Sequence, residues 1–120
     1  ANSIKKLNRT LSFLSNFIAR LDGTPVLNPP HFLMLFAGLA SVLVGIPTEN
    51  GATQTYSVKE LEANTDRACE ELLNLSAIIS SPDEPLNEYR NFWKASRATT
   101  QRLASRRIRF PFYLRAFTPQ

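Results

Sequence analysis

The sequence predicts an all-α fold: a four-helix, bundle-like domain built around one hydrophobic central helix, followed by an extended basic and aromatic C-terminal arm. Three observations carry that expectation. Apolar residues recur at spacings of three and four through most of the 120 residues. Helix-start signals precede each of the four expected helices, and nothing before residue 108 alternates like a strand. The length suits one core and one domain. The expected division is a helical bundle over residues 1–107 and an arm over residues 108–120.

The first helix is expected at 2–22. Ile4, Leu7, Leu11, Leu14, Phe17, Ile18 and Leu21 fall on one face, with Lys5, Lys6, Arg9, Asn16 and Arg20 opposite. Asn2 or Ser3 can cap its start, and Gly23 stands where a helix stops.

The second helix, expected at 29–46, is of another kind. Asn28 can cap it, Pro29 or Pro30 fits the first turn, and Pro47 closes it. From Phe32 to Ile46 only Ser41 breaks an apolar surface that runs all round, so the helix belongs in a core or in a bilayer. Fifteen residues rise only ~22 Å, against ~30 Å of hydrocarbon, and the flanks lack aromatic and basic anchors. The core reading is preferred. Ala37, Ser41 and Gly45, spaced by four, offer a slim face to a neighbouring helix.

After a linker holding the Asn50-Gly51 turn dipeptide, YSVKEL gives the best local signal. Ser57 and Glu60 have capping-box spacing, and Tyr56 with Leu61 can form the hydrophobic staple. The helix expected at 57–80 sets Val58, Leu61, Thr65, Ala68, Leu72, Leu75 and Ile79 in a seven-residue repeat. Glu60, Glu62, Asp66, Glu70 and Glu71 form its solvated outer face.

A fourth helix is expected at 82–107. Ser81 and Glu84 repeat the capping-box spacing, and Pro82 suits the first position. Leu86, Tyr89, Trp93 and Leu103 share a face that Ser96 and Thr100 thin out. Arg90, Lys94 and Arg97 run beside it as a basic ridge. Pro111 disfavours helix at Phe110, so the helix is expected to fray near Arg107 and the remainder to run extended.

Charge is strongly segregated. Residues 1–48 carry four cations against Asp22, residues 49–85 eight acids against Lys59 and Arg67, and residues 86–120 eight cations against Glu88. The last third therefore asks for an anionic partner, whether another molecule or the chain's own acidic helix.

Catalytic patterns are lacking. The four glycines are scattered, so no phosphate loop forms. Adjacent acids such as Glu70-Glu71 point apart on a helix. Cys69 reads as a small packing residue and His31 as a surface or capping residue. No metal-ligand spacing surrounds them, and neither a metal nor a cofactor is expected. A single cysteine and the absence of a leader-like N-terminus fit a reducing, cytoplasmic setting.

The expected function is non-catalytic: a small helical subunit of a larger assembly that contacts nucleic-acid backbone, DNA or RNA, without sequence readout. The expected phosphate-contacting residues are Arg90, Lys94, Arg97, Arg102, Arg106, Arg107, Arg109 and Arg115. Phe110, Phe112, Tyr113 and Phe117 are the expected stacking or docking residues of the arm. Small subunits of ribonucleoprotein effector complexes and nucleocapsid proteins share this general architecture, with no motif in common. Other subunits or further copies of the chain are expected partners, the acidic middle of one copy meeting the basic end of the next. The alternative is a structural subunit of a protein or membrane complex whose C-terminal arm docks on a neighbour.

Overall fold

The computed structural model describes residues 2–45, 54–97 and 103–119, and every regular element among them is helical. In order these are α1 (Asn2–Leu21), a 3-10 turn (Pro25–Leu27), α2 (Pro29–Val44), α3 (Val58–Ala63), α4 (Thr65–Ser80), α5 (Arg90–Arg97) and α6 (Leu103–Phe117). Where four helices were expected, the described residues form six. Ile46, Pro47, the Asn50-Gly51 turn, Thr100 and Arg102 lie outside the described residues, as do the side chains of Asn2 and Ser3.

The central position of α2 follows from its having no polar face. Leu35, Leu39 and Ala40 are fully buried, and α1 and α6 both pack against it. Pro29 occupies the first turn after Asn28, whose carbonyl accepts from Phe32 N at 2.8 Å. Gly45, at φ 76°, takes the left-handed conformation that ends the helix, and its N–H donates to the Ala40 carbonyl. Among the described residues no helix is long and apolar enough to cross a membrane. The close approach of a neighbouring helix backbone falls at Gly38, and at Gly45 a Cβ would meet Thr55 Cγ2 at 3.0 Å. A Cβ at Gly38 would stand 3.2 Å from the backbone of Tyr113 and Leu114. Where helix backbones cross, only the residue at the crossing must be small.

α1 contributes Phe13, Leu14, Phe17 and Leu21 to the core, while Ile4, Leu7, Leu11 and Ile18 face solvent. The expected seven-residue apolar face is thus split into a buried row and an exposed one.

The Ser57–Glu60 capping box forms as expected. Ser57 Oγ accepts from Glu60 N, and Glu60 Oε1 accepts from Ser57 N, both at 3.1 Å. Tyr56 packs half-buried against the core and donates its N–H to the Val42 carbonyl. The single helix expected at 57–80 is broken at Asn64, whose backbone (φ −95°, ψ 0°) leaves the helical range. Leu61, Ala68, Leu72 and Leu75 are buried, as the seven-residue repeat requires.

The helix expected from residue 82 begins instead at Arg90. Pro85 would fall in the second turn, where its missing N–H would cost a helical hydrogen bond. Ser81 and Glu84 form no capping box. Ser81 Oγ instead accepts from Asp83 N and donates to the Asp83 carbonyl, a local turn.

The largest correction concerns residues 108–120. Residues 108–117 do not run extended: α6 continues through Pro111 to Phe117. Proline inside a helix costs ~3 kcal/mol. Burial of Tyr113, Ala116 and Phe117 against α2 and α1 offsets it, at ~1.5–3 kcal/mol for each large side chain. The edge-to-face stack of Phe117 on Phe17, with centroids 5.3 Å apart, closes the core at that end.

Candidate nucleic-acid interface

The residues expected to hold phosphate fall into three groups in the fold. On α5, Arg90 and Lys94 flank Glu84, with Arg90 Nε 3.2 Å and Lys94 Nζ 3.5 Å from Glu84 Oε1. Two cations share one acid, and both cationic side chains remain about half exposed, at 52% and 53%. The pair of bridges is therefore weak and leaves a net positive site.

Arg97 is employed differently. Its guanidinium stacks over the Trp93 ring, 3.9 Å from the centroid, and donates to the carbonyls of Ile79 and Ser81 at the end of α4. Trp93 Nε1 donates to the same Ser81 carbonyl at 3.0 Å. This pair closes the C-terminus of α4, where cations are favoured.

On α6, Arg106, Arg107 and Arg115 are exposed, and Arg115 lies over the Phe112 ring at 5.1 Å. Arg109 does not belong with them. It is fully buried, its Nε donating to the Ser105 carbonyl at 3.4 Å. Its helical position faces the core side of α6, the same side as Tyr113 and Ala116, so it cannot reach a solvent-borne phosphate. Arg102 lies outside the described residues.

The aromatic residues are likewise internal. Tyr113 and Phe117 are core residues, and Phe110 and Phe112 are half-buried against the core. Phe92 sits between Phe112 and Tyr113, with centroid separations of 5.1 and 5.8 Å. Neither Tyr113 nor Phe117 has a free face on which a base could stack.

A buried polar centre stands where α2, α5 and α6 meet. His31, expected at the surface, is buried, and its Nδ1 shares a 3.0 Å hydrogen bond with the Tyr113 hydroxyl. Burial, with help from the Arg109 charge, pushes the His31 pKa down to about 4, so the ring is neutral at pH 7. Burial also raises the Tyr113 phenol and lowers Arg109, which stays protonated as guanidinium does. This is a satisfied structural pair and not an acid–base pair poised near neutrality.

Cys69 is fully buried on α4, and burial raises its thiol pKa, opposed by the Arg20 charge. Among the described residues no cluster of three or more His, Cys, Asp or Glu could hold a metal ion.

Arg67 is the residue that sequence reasoning passed over. Its guanidinium Nη2 donates to the carbonyls of Ala116 and Thr118 at 2.9 and 2.7 Å, and its Nε donates to Asn64 Oδ1 at 2.9 Å. The helix break at Asn64 belongs to the same arrangement, since Asn64 Nδ2 reaches the Phe117 carbonyl at 3.5 Å. One cation in an acidic segment was the available signal, but its partner lies about fifty residues away.

Comparison of the chain with protein-family models, with curated proteins and with solved structures found no match.

Proposed function

We propose that this chain is a non-catalytic helical subunit of a larger assembly, active in a reducing, cytoplasmic setting, whose α5–α6 face holds nucleic-acid backbone without reading sequence. One observation carries the reading: residues 89–120 contain eight cations and no acid. Glu84, from outside that stretch, offsets one of them.

The proposed contact set is Arg90, Lys94, Arg106, Arg107 and Arg115, which are all exposed. Arg97 serves α4 and Arg109 serves the core. About four phosphate contacts give a salt exponent of roughly −3.5, or a hundredfold loss of affinity between about 50 and 200 mM salt. Because Tyr113 and Phe117 are buried, base stacking contributes little, and duplex and single strand should bind alike. The docking-arm alternative finds less support, because Phe110, Phe112, Tyr113 and Phe117 pack within their own chain.

The test is fluorescence anisotropy with a labelled duplex and a labelled single strand across that salt range. Charge reversal at Arg106, Arg107 and Arg115 should weaken binding at least tenfold with helicity intact. Absence of binding at the lowest salt would reject the proposal.

A further inference from the structure

Glu84 stands where an anionic ligand of α5 would stand. Its Oε1 lies 3.2 Å from Arg90 Nε and 3.5 Å from Lys94 Nζ, so a single carboxylate oxygen joins the two cations. Arg90 and Lys94 are four residues apart on α5 and share one side of it. A phosphate oxygen placed between them would meet the same two donors in the same charge-assisted bonds.

The segment that delivers Glu84 is fastened at both ends and loose between them. At one end the Ser81 carbonyl accepts from Trp93 Nε1 at 3.0 Å and from the Arg97 guanidinium. At the other the Tyr89 hydroxyl donates to Glu71 Oε1 at 2.8 Å, and the Tyr89 ring lies 5.8 Å from that of Phe112. Between these anchors Pro82 and Pro85 oppose a helix, and Pro82, Asp83, Leu86, Asn87 and Glu88 are exposed. Among the described residues the Glu84 carboxylate meets no hydrogen-bond donor besides Arg90 and Lys94. Exposed ion pairs of this kind are weak, so the carboxylate can leave with both anchors in place. Neither Arg106 nor Arg115 forms an ion pair among the described residues, so the acid acts on the α5 part of the contact set alone.

We propose that Glu84 is a built-in competitor of the nucleic-acid phosphate at Arg90 and Lys94: its carboxylate fills that site in the free chain and is displaced when backbone binds. The inference rests on the nucleic-acid reading of the α5–α6 face, and it gives Glu84 two measurable effects. The acid lowers affinity, because its own contacts must break first. It also makes binding less sensitive to salt. A phosphate neutralised by a free cation releases a counterion and adds ~0.9 to the salt exponent, whereas a phosphate that displaces Glu84 releases a tethered carboxylate instead.

Anisotropy with the labelled duplex, from about 50 to about 500 mM salt, compares wild type with Glu84→Gln and Glu88→Gln. Glu88 is an exposed acid of the same segment without an ion pair to α5, so its loss changes net charge equally and leaves the two cations as they were. Glu84→Gln should bind about three- to tenfold tighter at the lowest salt, the worth of two exposed ion pairs. Its salt exponent should be larger in magnitude by about 0.9, and the gain should fade at the highest salt. Glu88→Gln should stay within about twofold of wild type. Adding Glu84→Gln to a chain that carries Arg90→Gln and Lys94→Gln should change nothing, with circular dichroism showing the fold kept. Equal gains from the Glu84 and Glu88 changes would reduce the effect to net charge and overturn the proposal. A Glu84→Gln chain that binds as wild type does would overturn it too, and both results leave the nucleic-acid reading standing. If neither wild type nor Glu84→Gln binds at the lowest salt, that reading falls and the role of Glu84 falls with it.

Discussion

α1 and α6 are made of similar material and are used in opposite ways. Each holds four cations, no acid and a large share of apolar residues. In α1 the apolar residues fall at regular helical spacing, yet Ile4, Leu7, Leu11 and Ile18 remain in solvent. In α6 the order is irregular and a proline stands in the middle, yet Tyr113, Ala116, Phe117 and even Arg109 are buried. Periodicity tells which residues can share a face; the neighbour on that face decides whether they are covered. α6 has α2, α4 and α5 around it, while Ile4, Leu7, Leu11 and Ile18 of α1 stay 41–61% exposed.

The sharpest way to separate the two helices is by truncation. Phe117→Ala should cost about 3–5 kcal/mol, because the ring is fully enclosed and stacks on Phe17. Urea unfolding measures it, and a loss below about 1 kcal/mol would mean that α6 is not part of the core.

Acid offers a second probe, one that acts on α6 and not on α1. His31 binds its proton with a pKa of about 4 when folded, against 6.5 unfolded, so the unfolded chain protonates first. The stability tied to the neutral ring is complete above pH 6.5 and is lost as the pH falls through 4. The slope in that window is at most about 1.4 kcal/mol per pH unit. Hydrogen exchange should show amides of α6 losing protection ahead of those in the first half of α1, relative to neutral pH, and His31→Gln should abolish the difference.

Arg67→Met tests what fastens the end of α6. Removing the charged donor from the Ala116 and Thr118 carbonyls should cost about 1.5–3 kcal/mol and fray the last turn. An unchanged melting temperature would show that water replaces the guanidinium without loss. The smallest effect belongs to Leu7→Ala. At 44% exposure, it should change monomer stability by no more than about 0.5 kcal/mol.

Local signals read from the chain were reliable where local chemistry decides the outcome. The Ser57–Glu60 box, the all-round apolar character of α2 and the buried Leu61–Leu75 repeat each appear in the fold. They fail where a distant contact outweighs a local preference. Pro111 and Phe110 argue for a helix end, and only the surface of α2 makes the helix worth continuing. Asn64 interrupts a good helical sequence because it and Arg67 receive the end of α6. The candidate interface was legible as composition and not as geometry. Eight cations could be counted, but which of them are consumed in capping α4 or packing the core depends on the partners that Ser81, Trp93 and Ser105 supply.

The crossing at Gly38 ties together stretches of chain about 75 residues apart in sequence. Closing a loop of that length is slow, and contacts of this kind reward the chain only late in folding. During synthesis, α2 would emerge with apolar residues on every side well before Tyr113 and Phe117 exist to cover it. For that interval the central helix is an open hydrophobic surface, the kind of segment chaperones hold and aggregates recruit. A glycine that looks like a packing detail in the finished molecule therefore marks the last joint to close, and the period when this protein is most exposed to misassembly.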